Sequence, residues 1–148
     1  MDEKTAAMYF AVLNEIGIVA QLSRTVFEAR LPEGLLTSHF GVVNHLVRLG
    51  DGVTPLALAR AFQVPKTTMT HTLSILERHG FIRMAPNPED GRSKCVFLTE
   101  TGARFREDAI AGLAPDLVDL AQAIPPETVK RMLPDLAELR RYLDENRP

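Results

Sequence analysis

The stretch that most constrains the fold covers residues 54–98, where helix signals, a short break and strand signals follow one another without a spacer. Thr54 is a favourable N-cap, and Pro55 suits the first helical position, because the N–H that proline lacks would have no partner there. Pro65 fixes the backbone for a second helix, and Gly80 can adopt the left-handed conformation that ends it. The pattern predicts two short helices joined by a tight turn.

The second of these helices has an apolar and a polar side. Met69, Leu73 and Leu76 recur at helical spacing and form a stripe that we expect to be buried. The other side carries cations and short hydroxyl side chains, which suit contact with phosphates and close approach to base edges. The alternative interpretation is an ordinary solvated helix face. We expect DNA contacts from Lys66, Thr67, Thr70, His71, Ser74 and Arg78.

Strand signals follow directly after the second helix. Residues 81–84 and 94–98 favour strands, whereas the sequence APNPEDGRS between them favours the tip of a long hairpin. Arg92 stands at the tip and Lys94 on the second strand, and Asp90 is expected to hold the Arg92 guanidinium in a bidentate contact. These three residues join the predicted DNA-binding set. A helix of this kind running into a basic hairpin predicts a winged helix-turn-helix, a mainly α fold with a small β-hairpin wing.

From Thr37 to its end, the chain resembles the MarR (multiple antibiotic resistance regulator) family of bacterial transcription factors. The resemblance rests on TPLALARAF, VPKTTMTHTLSILERHGFIRM and NPEDGRSKCVFLTETG, in that order. Asp90 and Arg92 match the D-x-R of the wing, and residues 98–102 match the L-T-x-x-G that closes it. The sequence departs from the family at His71, where relatives often have arginine. The resemblance implies a triangular homodimer that binds double-stranded DNA and a small aromatic or anionic effector, held between the dimer helices and the DNA-binding lobe.

These features predict a sequence-specific transcriptional regulator, an effector-responsive repressor that binds a palindromic operator as a homodimer. Two alternatives stay open: a winged helix that contacts another protein, and a thiol-based redox sensor that acts through an exposed Cys95. The sequence contains neither a G-x-S-x-G nor an H-E-x-x-H motif, and its histidines lack metal-ligand spacing. We therefore expect no enzyme, no metal site and no cofactor.

Charge is unevenly distributed along the chain. The formal net charge is −2, yet residues 51–98 carry six cations and four acids, so the positive segment is the proposed DNA-binding unit. The N-terminus lacks a signal-peptide layout, and no apolar stretch is expected to be long enough to cross a bilayer. A single cysteine fits a reducing compartment. These observations predict a cytoplasmic protein without membrane contact.

Both ends of the chain are expected to form amphipathic helices. Residues 5–30 carry a wide apolar side, and residues after Pro126 carry another. A further helix is expected to start at Thr99 and to bend at Gly112 and Pro115.

Packing of these helices across a two-fold axis would cover the apolar sides and present two recognition helices together. The alternative is that the chain ends fold over their own wing domain. The predicted domains are a helical dimerisation region, residues 1–36 and 99–148, and a DNA-binding lobe, residues 37–98, forming one intertwined unit. The interface is expected at Phe10, Leu13, Leu133, Leu136 and Leu139.

Overall fold

The computed structural model describes all residues 1–148. Its elements are α1 (Glu3–Glu28), α2 (Thr37–Leu49), α3 (Pro55–Phe62), α4 (Lys66–Arg78), β1 (Ile82–Pro86), β2 (Lys94–Leu98), α5 (Glu100–Gly112), α6 (Ala114–Ala123) and α7 (Pro126–Glu145). The prediction of a mainly α fold with a two-stranded hairpin is confirmed. Two compact units, Met1–Gly112 and Leu113–Pro148, divide the chain. The division into a dimerisation region and a DNA-binding lobe stays a prediction.

Local capping explains where helices α3 and α5 begin. Thr54 Oγ1 accepts the backbone N–H of Ala57 at 3.2 Å, and Thr99 Oγ1 accepts that of Gly102 at 3.0 Å. Such bonds satisfy N–H groups that have no partner in the first turn of a helix. Both caps agree with the sequence-based expectation.

The turn between α3 and α4 depends on two backbone conformations. Gln63 ends α3 in the left-handed conformation, with φ of 52°. Pro65 then directly precedes α4. Gly80 follows α4 with φ of 72°, a conformation that costs glycine nothing, and turns the chain toward β1. The two short helices and their tight turn are therefore as predicted.

The hairpin is fastened at its base to the loop between α2 and α3. Val53 forms an antiparallel bridge with Val96. The carboxylate of Asp51 accepts the backbone N–H of Leu98 at 3.0 Å. Because residues 51–53 lead into α3, these bonds fix the wing relative to the helix-turn-helix.

The core of the first unit lies where α2, α3 and α4 meet the hairpin. Its fully buried side chains include Val42, Val43, Leu58, Leu76 and Val96. Helix α5 joins this core through Phe105, whose ring stacks on that of Phe81 with a centroid separation of 4.3 Å. A methyl group at Gly102 would collide with the carbonyl oxygen of Phe81, so glycine allows this close approach.

Helix α1 buries none of its residues, and its apolar side chains are largely exposed. It is long and apolar enough to span a membrane, but core helices of soluble proteins and signal sequences near an N-terminus often have the same length and composition. The expectation that no apolar stretch reaches this length is therefore wrong. A helix that is apolar on most sides needs a covering surface.

The helix expected to run from Thr99 past Pro115 is two helices. Helix α5 ends at Gly112, and α6 begins at Ala114 with Pro115 in its first turn. Proline is tolerated in a first turn because its missing N–H would be unpaired there, so it marks a start instead of a bend. In the second unit, α7 continues through Pro134.

Candidate nucleic-acid interface

Burial of one side of α4 determines which side chains it presents to solvent. Met69, Leu73 and Leu76 are buried in the core. The predicted DNA-contacting residues of this helix are all exposed: Lys66, Thr67, Thr70, His71, Ser74 and Arg78. The structure thus exposes all six predicted residues of this helix.

Two hydroxyl groups on this surface bond to the helix itself. Thr70 Oγ1 donates to the carbonyl oxygen of Lys66 at 2.9 Å. Ser74 Oγ donates to the carbonyl oxygen of His71 at 3.1 Å. These bonds orient the two hydroxyls before any ligand arrives.

The wing tip is ordered by side chains that bond to its own backbone. Asp90 Oδ1 accepts the backbone N–H of Arg92 at 3.0 Å, and Asn87 Oδ1 accepts that of Glu89 at 3.0 Å. The expected bidentate contact from Asp90 to the Arg92 guanidinium is therefore replaced by a bond to the backbone. A carboxylate two residues before an N–H closes an Asx turn, which short side chains favour. Asp90, Arg92 and Lys94 are all exposed.

A third wing cation was not in the predicted site. Arg83 on β1 lies opposite Phe97 on β2, and its guanidinium carbon is 4.5 Å from the centre of the Phe97 ring. Stacking of this kind holds the guanidinium plane while leaving its N–H edges available. The cross-strand pairing of a cation with an aromatic residue could have revealed the contact only once the hairpin register was known.

A junction between α1 and α2 contains a second missed set of polar contacts. Glu28 Oε1 accepts both the backbone N–H of Thr37, at 2.9 Å, and its hydroxyl, at 2.8 Å. The backbone bond from Thr37 is the main cause that lowers the pKa of Glu28. Leu36 occupies the N-cap position of α2, and its side chain forms no capping hydrogen bond. No local sequence signal identifies a cap supplied by a carboxylate at the end of the preceding helix.

A groove of about 440 Å³ opens beside this junction in the first unit. Phe81, Phe105 and Ala109 are its buried lining residues. Polar lining is supplied by Thr101, Asp108 and two arginines, Arg30 and Arg104. A groove lined by aromatic rings and by arginines can accept a small planar molecule that carries an acid group.

The predicted interface residues are accessible, whereas the cysteine is not. Phe10 and Leu133 are 69% and 60% exposed, and Leu13 and Leu136 are also exposed. Leu139 is half-buried. Cys95 is only 6% exposed, so the exposure that a thiol sensor requires is missing. No group of three or more His, Cys, Asp or Glu side chains is placed to hold a metal ion.

Known proteins are similar in sequence to the part of the chain that forms this interface. Residues 33–93 match the sequence profile of the MarR family. The transcriptional activatory protein BadR of Rhodopseudomonas palustris is 31% identical over 88 residues, which are 58% of this chain and 50% of BadR. The chain thus spans about half the length of this curated relative.

Solved structures extend the likeness to the rest of the chain. The apo form of wild-type MarR from E. coli has a TM-score of 0.73 and 25% identity, covering 85% of this chain and 93% of MarR. A cysteine-to-serine mutant of the same MarR, in complex with operator DNA, has a TM-score of 0.68 and 24% identity, covering 94% and 99%. The winged segment of the chain, residues 33–93, is thus similar to the MarR family, and the fold of the chain is that of the solved MarR structures.

Proposed function

We propose that this chain is a sequence-specific DNA-binding regulator of transcription that acts as a homodimer on a palindromic operator. The observation that carries the proposal is the exposed polar face of α4, which has cations at both ends and only one acid, Glu77, next to Arg78. A MarR structure with the same fold was solved in complex with operator DNA, which supports DNA binding by this fold. Residues 37–98 would form the DNA-binding lobe.

The wing completes this surface. Its tip carries Arg92 and its strands carry Arg83 and Lys94, all of them exposed. Cations beside a recognition helix neutralise phosphates of the same half-site, and this neutralisation makes binding depend on salt.

Homodimerisation is supported by apolar surface that the chain leaves uncovered. Helix α1 buries no residue, and α6 and α7, in the second unit, bury none either. Exposed apolar patches of this extent mark interaction surfaces. A second copy would cover residues 1–36 and 99–148 and would present the two recognition helices with two-fold symmetry.

The lining of the groove beside the junction of α1 and α2 supports the proposal that the effector is a small aromatic carboxylate. Phe81 leads directly into β1, and Arg30 belongs to the loop after α1, so a ligand here would touch both the wing base and the α1–α2 connection. Repression relieved by such a ligand is the proposed mode of regulation. We place the protein in the cytoplasm, and we propose that it binds DNA and effector without catalysing a reaction.

Binding-site selection from random duplexes tests the DNA-binding proposal. The full-length protein is expected to enrich inverted half-sites with centres roughly 10 base pairs apart. Affinity should fall steeply with salt, and Lys66→Ala should weaken all sites alike. Equal affinity for the selected duplex and for a shuffled one would overturn the proposal.

Sedimentation of the wild type and two matched variants tests the dimer. Leu133→Asp places a charge on the proposed interface, whereas Leu49→Asp alters a leucine of the DNA-binding lobe that is also highly exposed. We expect dimers at micromolar concentration for the wild type and for Leu49→Asp, and dissociation or misfolding for Leu133→Asp. Permanent dimers bury more than about 2,000 Å² and therefore stay associated at this concentration. A monomeric wild type would contradict the proposal.

Calorimetric titration with benzoate tests the groove, with benzyl alcohol as the uncharged control. Arg104 is well exposed, and its ion pair with Glu100 is long, at 3.9 Å. Arg104→Gln should therefore remove benzoate binding without unfolding the protein. Arg48→Gln, at the far end of α2, should bind as the wild type does. Benzoate binding that survives Arg104→Gln would place the ligand elsewhere.

A further inference from the structure

We propose that Thr70 and Ser74 recognise exocyclic amino groups in the major groove, adenine N6 or cytosine N4, through hydroxyl oxygens that act as acceptors. The inference rests on the proposed DNA binding. It names the base chemistry by which α4 would select its operator.

Four exposed residues of α4 form one continuous row. Lys66, Thr70, Ser74 and Arg78 follow one another at intervals of four residues. Four residues advance an α-helix by about 400°, so each step moves the row by about 40° around the helix. The two cations are thus separated by about 18 Å along the axis and about 120° around it.

In this geometry, the cations would position the helix on the DNA backbone, and the hydroxyls would contact the bases. Long cationic side chains that diverge by about 120° can reach phosphates on opposite sides of a groove about 12 Å wide. Such contacts fix the register of the helix but carry no sequence information. The two hydroxyls lie between the cations, in the part of the helix that would face the base edges.

The hydroxyl hydrogens are already committed within the helix. Thr70 Oγ1 donates to Lys66 at 2.9 Å and Ser74 Oγ donates to His71 at 3.1 Å, in both cases to a backbone carbonyl oxygen. A hydroxyl has one hydrogen and two acceptor lone pairs. As long as these bonds persist, each side chain offers only an acceptor to the DNA.

Acceptors on the protein select donors on the bases. In the major groove, the donors are the N6 amino group of adenine and the N4 amino group of cytosine, whereas guanine N7 and O6 and thymine O4 accept. Thr70 and Ser74 are separated by about 6 Å along the helix axis. Successive base pairs are about 3.4 Å apart, so the two oxygens would address base pairs about two steps apart.

Base analogues test this assignment directly. In the duplex selected by the wild-type protein, each half-site adenine is replaced in turn by purine, which lacks the 6-amino group, and each cytosine by 2-pyrimidinone, which lacks the 4-amino group. The wild type, Thr70→Val, Ser74→Ala and the control Thr68→Val are then titrated with each duplex. Thr68 is an exposed threonine of α4 that lies off the row.

The expected result is a loss that depends on both partners. At one position the analogue should weaken the wild type and Thr68→Val by about 5- to 100-fold. Thr70→Val should bind that analogue duplex and its parent equally, and Ser74→Ala should do the same at a second position. Any effect of the analogue on the duplex itself is common to all four proteins and cancels in the comparison.

Opposite results separate the inference from the proposed function. Equal losses in the wild type and in both row variants would overturn the inference alone, as would selected half-sites whose affinity depends on no amino group. A wild type without sequence preference would overturn the proposed function and this inference with it.

Discussion

The Nδ1 atom of His39 lies 2.8 Å from the backbone nitrogen of Leu36 and accepts its N–H. His39 is only 4% exposed, and this bond requires the neutral imidazole, because both ring nitrogens of the charged form are donors. Burial lowers the pKa of His39, the nearby His79 and His71 lower it further, and Glu28 raises it. The side chain is thus surrounded by ionisable groups from the end of α1, from α4 and from the turn after it.

Stability should therefore decrease in mild acid. The unfolded chain binds this proton with the ordinary pKa of about 6.5, whereas the folded chain binds it only at lower pH. Between these two values the unfolded state holds more protons, so stability falls as the pH decreases from about 6.5 and levels off below the folded pKa. Urea unfolding at pH 7.5 and pH 5.5 would measure the loss.

The variant His39→Asn supplies the matched comparison for this pH dependence. Its amide oxygen can accept the Leu36 N–H from nearly the position of Nδ1, yet it does not titrate. We expect a smaller loss of stability in acid for the variant. His45, whose pKa is also lowered by burial and then by Arg48, contributes equally to both proteins. An identical pH dependence in the two proteins would contradict the role given to His39.

Gly102 should tolerate no side chain. A Cβ atom there would collide with the Phe81 carbonyl oxygen and lie 2.9 Å from Leu98 Cδ1. The carbonyl cannot move freely, because it accepts the N–H of Thr99 at 3.1 Å. We expect Gly102→Ala to destabilise the fold by about 1–3 kcal/mol, the usual cost of overpacking. Gly91→Ala is the control, because a Cβ there has nothing within 4 Å, and its thermal stability should change little. A Gly102→Ala variant as stable as the wild type would contradict the packing argument.

The sequence predicts well those parts of the fold that local signals specify. The turn before α4, the end of α4 at Gly80 and the long hairpin each follow from residues within a few positions of the feature. The polar face of α4 could be predicted for the same reason, because burial of Met69, Leu73 and Leu76 fixes its opposite side.

Contacts between distant segments could not be predicted in the same way. The backbone N–H of Leu98 bonds to Asp51, which is 47 positions earlier in the chain. The groove likewise combines Arg30 with Arg104, and neither residue carries a local signal for the other. The prediction for Asp90 failed for a different reason. Its spacing to Arg92 allows a bond to either the guanidinium or the backbone, and only the turn geometry decides between them.

Cys95 should react slowly with thiol reagents in the folded protein. It is buried in β2 opposite Ala85, and disulfide exchange requires access of the reagent to the sulfur. Labelling with a chromogenic disulfide should be much slower in native buffer than in roughly 6 M guanidinium chloride, a concentration that unfolds most proteins. Equal rates in the two conditions would revive the thiol-sensor alternative.

At the wing tip, the carboxylate of Asp90 accepts the backbone N–H of Arg92. Arg92→Ala should weaken operator binding by about 1–3 kcal/mol per wing if its guanidinium enters the minor groove, where negative potential is concentrated. The role of Asp90 is tested by two substitutions that remove the same charge. Asp90→Asn keeps an oxygen that can accept the Arg92 N–H, and Asp90→Ala does not.

Charge alone predicts that both Asp90 variants bind a polyanion more tightly than the wild type, and to the same extent. If the carboxylate orders the turn that carries Arg92, Asp90→Ala should bind less tightly than Asp90→Asn by about 0.5–1.5 kcal/mol, the usual net value of one hydrogen bond. Fluorescence anisotropy with the selected operator, at low and at moderate salt, measures the difference between them. Because both variants have the same net charge, screening by salt should leave that difference nearly unchanged. Equal affinities of the two variants at both salt concentrations would show that Asp90 acts on DNA only through its charge.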